Sequence, residues 1–167
     1  MRLIRAMPET VRQRAVRAVS PSYTCGSQAR VIREDGRILL VKAAYRWRWG
    51  LPGGLMDAQE GPHAAVIREV REETGLDAVT VGDPLVVVET EMRRINFVYD
   101  ARPAEGVDPD ALRPQASEIR EIGWFGFDEL PEIIPDRTRD VIQPDGVVGQ
   151  ESRLFVTNEF FTDPPTS

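Results

Sequence analysis

The residues that most constrain this chain lie between Gly61 and Gly75, where the sequence carries the start, the body and the end of a helix. Gly61 followed by Pro62 is typical of an N-cap and a first helical position, and Gly75 is typical of a left-handed C-cap. Val66 and Val70 are one turn apart and can face a core. We therefore predict one well-defined helix, around which the rest of the fold is arranged.

Three glutamates crowd one face of this helix. Glu69, Glu72 and Glu73 are spaced i, i+3 and i+4, which brings their carboxylates together. Like charges so close repel each other, and Arg68 can relieve only part of that repulsion. A hard divalent cation would offset it, because carboxylate oxygens are the ligands that such cations prefer. A solvated acidic face explains the same spacing, so the helix alone leaves both interpretations open.

The residues around the helix favour the metal. One known sequence motif is a glycine, five residues, a glutamate, seven residues and then R-E-hydrophobic-x-E-E-x-G-hydrophobic. Every defined position is filled here, by Gly54, Glu60, Arg68-Glu69-Val70, Glu72-Glu73 and Gly75-Leu76. The stretch therefore resembles the Nudix box, the signature of the Nudix hydrolase family. The resemblance implies the Nudix fold, an α/β/α sandwich around a mixed β-sheet, and hydrolysis of a diphosphate linkage.

The resemblance also implies roles for individual residues. Glu72 and Glu73 would supply the main metal oxygens, Glu69 would be a further ligand or the catalytic base, and Gly54 would offer its backbone carbonyl. Arg68 would orient the glutamates through charge-assisted hydrogen bonds. The implied cofactor is Mg²⁺, with Mn²⁺ as a substitute, which would cancel the charge that repels an attacking water. An intact box without activity is the alternative.

Further titratable residues need a role of their own. Glu118 and Glu121 resemble a glutamate that some Nudix members place after a mobile loop, and we take Glu118 as a candidate catalytic base. A surface salt bridge explains either residue equally well. Glu60 is expected to hold its loop against the helix. His63 is the only histidine, so we expect an exposed helix residue rather than a metal ligand.

Substrate contacts are predicted on two arginine-containing stretches. Residues 43–50 alternate aromatic and basic side chains, and Trp47 with Arg48 is the candidate pair for base stacking and phosphate contact. Aromatic core packing beside solvated arginines is the alternative. Arg93 is a candidate phosphate contact, as is its neighbour Arg94. The expected substrate is a nucleoside diphosphate linked to another moiety.

Narrower substrate classes have no support in the sequence. Glu91 stands where similar ADP-ribose hydrolases carry a proline, and residues 92–94 stand where similar dinucleoside polyphosphate hydrolases carry a tyrosine.

Two other activities compete with hydrolysis. A nucleotide-sensing domain with a regulatory role is disfavoured by the complete carboxylate set. An isoprenoid diphosphate isomerase would need a well-placed acid, and Cys25 precedes the box in an early strand.

Composition sets the broad class of protein. The net charge of −6 argues against a stable nucleic-acid complex. A single cysteine fits a reducing compartment, and no apolar run approaches the length of a membrane span. We therefore expect a cytoplasmic protein that binds a small nucleotide-type molecule and no membrane.

The 167 residues suit one domain with two extensions. We expect the Nudix domain over residues 22–135, an N-terminal extension at 1–21 and a C-terminal extension at 136–167. The N-terminal extension is arginine-rich and fits a short amphipathic helix that packs on the domain or on a partner subunit, so a homodimer is among the predicted arrangements. A transit peptide has a similar composition.

The strand pattern predicts the α+β class, because strands surround two or more helices without regular βαβ alternation. Residues 23–33 and 37–42 are predicted to form a hairpin, with 38–41 buried on both faces. Further strands are expected at 79–81, 85–90, 95–101, 118–127 and 153–157, the last at an edge. Residues 101–117 should form a surface loop, a short helix should begin at 128, and 162–167 should be a frayed tail.

Overall fold

The computed structural model describes residues 8–11, 20, 22–114, 117–131, 141–142 and 154–157. The named elements within these residues are β1 (Thr24–Val31), β2 (Ile38–Ala43), β3 (Gly53–Leu55), α1 (Pro62–Thr74), β4 (Ala78–Glu89), β5 (Arg94–Pro103), β6 (Ile119–Phe125) and β7 (Leu154–Thr157). Five strands form a mixed sheet in the order β3-β1-β5-β4-β7, and β2 pairs with β6. The predicted α+β class and mixed sheet are confirmed.

Two clusters of buried side chains hold these elements together. Val66 and Val70 of α1 pack with Tyr99 of β5 in the first cluster, whereas Val98, the preceding residue of β5, belongs to the second. This division follows from the alternation of side chains along a strand. Strand β2 contributes to both clusters, and its residues 38–41 are all buried, as predicted.

The predicted hairpin between the first two strands is wrong. Both edges of β1 are already paired, antiparallel to β3 and parallel to β5, so no hydrogen-bonding edge is left for β2. Strand β2 pairs with β6 instead and shares with the segment after β1 only the single bridge between Ile32 and Ile38. The turn itself forms, because the Gly36 N–H donates to the carbonyl of Arg33.

Residues 78–89 form one strand where we predicted two. The pairing of β4 with β5 shifts register between Val81 and Leu85, and Gly82 has a φ of 69°. The Gly-Asp-Pro sequence is therefore a bulge rather than a break. Strand β3 was not predicted, because three residues are too few to show alternation. The predicted late edge strand is confirmed as β7, which lies parallel to β4.

The loop after β5 is fastened to the body of the protein. The Trp124 Nε1–H donates to the carbonyl of Pro109 at 2.8 Å. The Arg113 N–H donates to the carbonyl of Thr74, also at 2.8 Å. Two apolar side chains of the loop pack on the first cluster, Val107 and Leu112. The loop thus helps to fix the C-terminal end of α1.

Other predictions concern the ends of the chain. Residues 9–11 are helical directly after Pro8, as predicted, and residues 12–19 of the predicted helix lie outside the described residues. Residues 127–129 form a turn, so the prediction that a helix begins at 128 is wrong, and the predicted tail at 162–167 lies outside the described residues. None of the helices in the described ranges is long and apolar enough to cross a membrane.

Candidate active site

Helix α1 has the predicted ends. Gly61 is the N-cap and Pro62 opens the helix, while Gly75 is a left-handed C-cap with a φ of 73°. The buried face consists of Ala65, Val66, Val70 and Thr74. Glu69 and Glu73 are one turn apart, and both line a cleft next to β3.

Two glycines let β3 lie close to both β1 and the helix. A Cβ on Gly53, whose φ is 145°, would lie 2.2 Å from the backbone oxygen of Ser27. A Cβ on Gly54 would lie 2.5 Å from Oε1 of Glu69. The Gly53 N–H donates to Oε2 of Glu73 at 2.7 Å. Any side chain at either glycine would therefore disturb β1 or displace a carboxylate.

Arg68 ties the acidic residues together. Its Nε and one terminal nitrogen donate to the two oxygens of Glu60 at 3.0 and 2.9 Å. Its other terminal nitrogen donates to Glu69 at 2.8 Å and to Glu72 at 3.1 Å. These carboxylates raise the pKa of Arg68, and Arg68, with the Asp57 N–H, lowers the pKa of Glu60 to about 2. The bonds agree with the expected structural role of Glu60 and orienting role of Arg68.

Burial disfavours the charged forms of Glu69 and Glu73. Burial raises the pKa of both carboxyl groups, that of Glu73 to about 7. The Gly53 N–H and the charge of Arg46 oppose the rise at Glu73, whereas the carboxylates of Glu69 and Glu118 add to it. Ionising these groups therefore costs free energy that a nearby cation would offset.

These side chains open on a cleft of about 460 Å³. Five of the predicted site residues line it: Gly54, Arg68, Glu69, Glu73 and Glu118. Residues on the other walls include Gln28, Tyr45, Arg46 and Arg94. The cleft therefore joins buried carboxylates to arginines from separate parts of the chain.

Four predicted site residues are not part of the cleft lining. The side chain of Glu72 is 53% exposed, and its carboxylate accepts from Arg68 at the rim. The guanidinium of Arg48 stacks over the ring of Trp47 at 3.9 Å. Arg93 lies in the turn before β5 with a φ of 49°. Trp47, Arg48 and Arg93 are therefore not among the residues that line the cleft with the carboxylates, and their substrate-binding roles stay predictions.

The cleft lining contains Arg46 and Arg94, which are close in sequence to the predicted Arg48 and Arg93. Arg94 opens strand β5, whereas Arg93 lies in the preceding turn. Arg94 is the phosphate-contact candidate predicted beside Arg93, and Arg46 belongs to the predicted alternating stretch at 43–50. Trp49 follows the core-packing alternative, because its ring meets that of Phe125 edge-on at 4.8 Å.

Glu118 and Glu121 are clearly separated by the structure. Glu118 lines the cleft, whereas Glu121 forms an ion pair with Lys42 at 3.1 Å. The salt-bridge alternative thus holds for Glu121. His63 is exposed, as expected, and its Nε2 is 2.9 Å from the hydroxyl of Thr80.

The donors of the cleft suit a hard divalent cation in their chemistry. They are carboxylate oxygens of Glu69 and Glu73 and a backbone carbonyl at Gly54, the ligand type that Mg²⁺ and Mn²⁺ prefer. Within the described ranges, no three acidic, histidine or cysteine side chains already form a metal-binding group. Their oxygens instead bond Arg68 and Gly53, so a cation would have to draw them from these partners.

Comparison with known proteins agrees with this geometry. The model of the NUDIX domain matches residues 27–143. A MutT-like protein of Streptomyces ambofaciens is 34% identical over 113 residues, which cover 67% of this chain and 70% of that protein. The 8-oxo-dGDP phosphatase of Mus musculus is 33% identical over 117 residues, but this chain spans only 34% of its length.

A solved structure shows the same fold. The NUDIX hydrolase from Nitrosomonas europaea superposes with a TM-score of 0.69 at 21% identity, and the match covers 84% of this chain and 81% of that one. The family model spans most of the sequence, including the helix, the paired glycines and the cleft. This chain belongs to the Nudix family and is a pyrophosphohydrolase.

Proposed function

We propose that this enzyme hydrolyses a pyrophosphate bond in a nucleoside diphosphate linked to another moiety, and that it requires Mg²⁺, with Mn²⁺ as a substitute. The observation that carries the proposal is the pair of partly buried carboxylates, Glu69 and Glu73, held beside Gly54 in a cleft that also contains arginines from separate parts of the chain. The nucleotide part is supported by the 8-oxo-dGDP phosphatase among the relatives.

The metal ligands in this proposal are Glu69, Glu72, Glu73 and the carbonyl of Gly54. Glu72 would join them from the rim, since its side chain is half exposed and forms its ion pair with Arg68 there. A bound Mg²⁺ would neutralise phosphate oxygens and lower the pKa of a water molecule. Arg68 keeps Glu69 and Glu72 oriented through its shared terminal nitrogen.

Two carboxylates are candidates for the base that takes the proton of the attacking water. Glu118 lines the cleft across from α1 and is close enough to raise the pKa of Glu73. Glu69 is the other candidate, and burial raises the pKa of its carboxyl group, which makes the carboxylate a stronger base. We assign Glu118 as the base when Glu69 is occupied as a ligand. Unchanged turnover of Glu118→Gln at saturating substrate and Mg²⁺ would contradict this assignment.

The experiment is product analysis with a panel of nucleotides. Nucleoside triphosphates, nucleotide sugars, ADP-ribose and dinucleoside polyphosphates are incubated with Mg²⁺, with Mn²⁺ or with EDTA, and the products are separated by anion exchange. We expect cleavage between two phosphates, with a nucleoside monophosphate as one product, only when a divalent cation is present. The Glu73→Gln variant should be slower by about 100-fold or more, because it removes a charge partner of the cation.

Glu121→Gln is the matched control, because it removes a carboxylate of the same type that lies outside the cleft. It should retain the activity of the unaltered enzyme. Equal turnover of the Glu73→Gln variant at saturating Mg²⁺, or cleavage in EDTA, would contradict the proposal. The homodimer and the cytoplasmic location stay predictions.

A further inference from the structure

Arg94 lies opposite a carboxylate with which it forms no ion pair. Glu89 of β4 and Arg94 of β5 are direct partners in the antiparallel pairing of the two strands. Opposite charges in such positions attract each other, because their Cβ atoms are only about 5 Å apart. Here the Nε of Arg94 is buried without a hydrogen-bond partner among the described residues. Something must therefore hold the Glu89 carboxylate away from it.

The residue that binds Glu89 is Asn96. Its Nδ2 donates to Oε2 of Glu89 at 2.9 Å. Asn96 lies two residues after Arg94 and therefore on the same face of β5, diagonally across from Glu89. It is buried, with 7% of its surface exposed, and a buried amide needs a hydrogen-bond partner. The bond satisfies Asn96 and fixes the carboxylate of Glu89 at the same time.

Gly26 gives the carboxamide of Asn96 its room. The two residues are direct partners in the parallel pairing of β1 with β5. A Cβ on Gly26 would lie only 2.7 Å from Oδ1 of Asn96. The carboxamide can therefore lie over β1, with its oxygen next to Gly26 and its nitrogen bonded to Glu89.

The same glycine shows how close Arg94 is to the carbonyl of Gly54. A Cβ on Gly26 would lie 3.1 Å from that carbonyl oxygen and 3.8 Å from the Nε of Arg94. Both Gly54 and Arg94 line the cleft. A diphosphate held by a cation at this carbonyl would therefore lie within reach of the guanidinium. An ion pair between Glu89 and Arg94 would compete with that contact.

We propose that Asn96 is a positioning residue for the hydrolysis. By binding the carboxylate of Glu89, it keeps this carboxylate from pairing with Arg94 and leaves the guanidinium available to a phosphate of the substrate. Asn96 itself is not part of the cleft lining, so it acts through its two neighbours. The inference rests on the proposed function, since it takes the Gly54 end of the cleft as the place where the diphosphate binds.

The test measures binding rather than turnover. The probe is imidodiphosphate with Mg²⁺, which stands in for the two phosphates of the bond that is cut, and its dissociation constant is measured by calorimetry. Asn96→Leu keeps a side chain of similar size but removes the amide. We expect it to weaken binding by about tenfold, the loss of one charge-assisted hydrogen bond from Arg94. Adding Glu89→Gln to Asn96→Leu should restore most of the affinity, because glutamine has no charge to pair with Arg94.

Three controls separate this role from a structural one. Glu89→Gln alone should leave the affinity unchanged, since its oxygen still accepts from Asn96. Adding Glu121→Gln to Asn96→Leu should restore nothing, because Glu121 pairs with Lys42 outside the cleft. Arg94→Ala should weaken binding, and Asn96→Leu should add no further loss to it. Thermal melts verify that each variant is folded, and Asn96→Ala takes the place of Asn96→Leu if the leucine unfolds the protein.

Three results would overturn the inference. They are unchanged binding in Asn96→Leu, a weakening that Glu89→Gln does not relieve, and full affinity in Arg94→Ala. Failure of the proposed function would look different: the variants would bind imidodiphosphate as expected, but no nucleotide of the panel would be cleaved with Mg²⁺ or Mn²⁺. If the unaltered protein did not bind imidodiphosphate, both would fail.

Discussion

Replacing Glu73 by glutamine should stabilise the metal-free protein above neutral pH. Burial raises the pKa of this carboxyl from 4.5 to about 7 in the folded protein. The native state therefore favours the protonated form of Glu73. The free energy of unfolding is highest below about pH 4.5, falls as the pH rises from the unfolded-state pKa to the folded-state pKa, and is lowest above pH 7. Glutamine keeps an oxygen that accepts from the Gly53 N–H and has no charge to desolvate.

The size of the effect follows from the two pKa values. A rise from 4.5 to about 7 corresponds to roughly 3 kcal/mol at 1.36 kcal/mol per unit, and water that reaches the cleft should reduce this to about 2 kcal/mol. We expect the free energy of unfolding of Glu73→Gln to exceed that of the unaltered protein by this amount near pH 8 in EDTA. Near pH 4.5 the two proteins should be equally stable.

The assay is urea unfolding in EDTA, followed by far-UV circular dichroism at several pH values. Glu121→Gln is the control, and it should show no such stabilisation, because Glu121 pairs with Lys42 at the surface. If Glu73→Gln were less stable than the unaltered protein near pH 8, the carboxylate would be stabilising as an ion, and our account of its burial would be refuted.

Three other predictions concern the glycines, the arginine and the cation. Gly54→Ala should fold but lose about 100-fold in activity, because the added Cβ would displace the carboxylate end of the Glu69 side chain. Gly53→Ala should instead lower the melting temperature, because its Cβ would collide with the backbone of Ser27. Arg68→Ala should weaken the protein's resistance to acid between about pH 4.5 and 2, because Arg68 lowers the pKa of Glu60 to about 2 in the folded protein, as acid-unfolding curves would show. Binding of Mg²⁺ should release protons near pH 6 and none near pH 8.5, measured by calorimetry in buffers of different ionisation enthalpy.

Each of these has an outcome that contradicts it. Full activity in Gly54→Ala, or equal melting temperatures for the two glycine variants, would mean that β3 adjusts more freely than its contacts imply. An unchanged acid-unfolding midpoint in Arg68→Ala would remove the role assigned to the Glu60 pair. Proton release that does not vary with pH would show that the buried carboxylates are already ionised without metal.

The box helix could be predicted because its ends and its buried face are local. Gly61, Pro62 and Gly75 act on their own neighbours, and the apolar spacing has the helical period. The hairpin of the first two strands failed for the opposite reason. Its turn residues are local too, but whether β1 has a free edge depends on β3 and β5, which lie far away in the sequence.

The candidate site, too, could be predicted from the sequence only where the signal is local. The motif names the residues of α1 and β3, but their burial, and hence the high pKa of Glu73, comes from packing that no spacing reveals. The arginines show the limit most clearly. Arg93 and Arg94 are equivalent in the sequence, and only the register of β5 places Arg94 in the cleft and leaves Arg93 in a turn.

The central claim is that Glu69 and Glu73 hold a divalent cation with the substrate. Electron paramagnetic resonance of Mn²⁺ with imidodiphosphate, a pyrophosphate analogue that resists hydrolysis, tests it most directly. We predict that the unaltered enzyme binds Mn²⁺ under these conditions and that Glu69→Gln and Glu73→Gln each weaken binding by about tenfold or more while the fold is kept. Unchanged Mn²⁺ affinity in both variants would contradict the account.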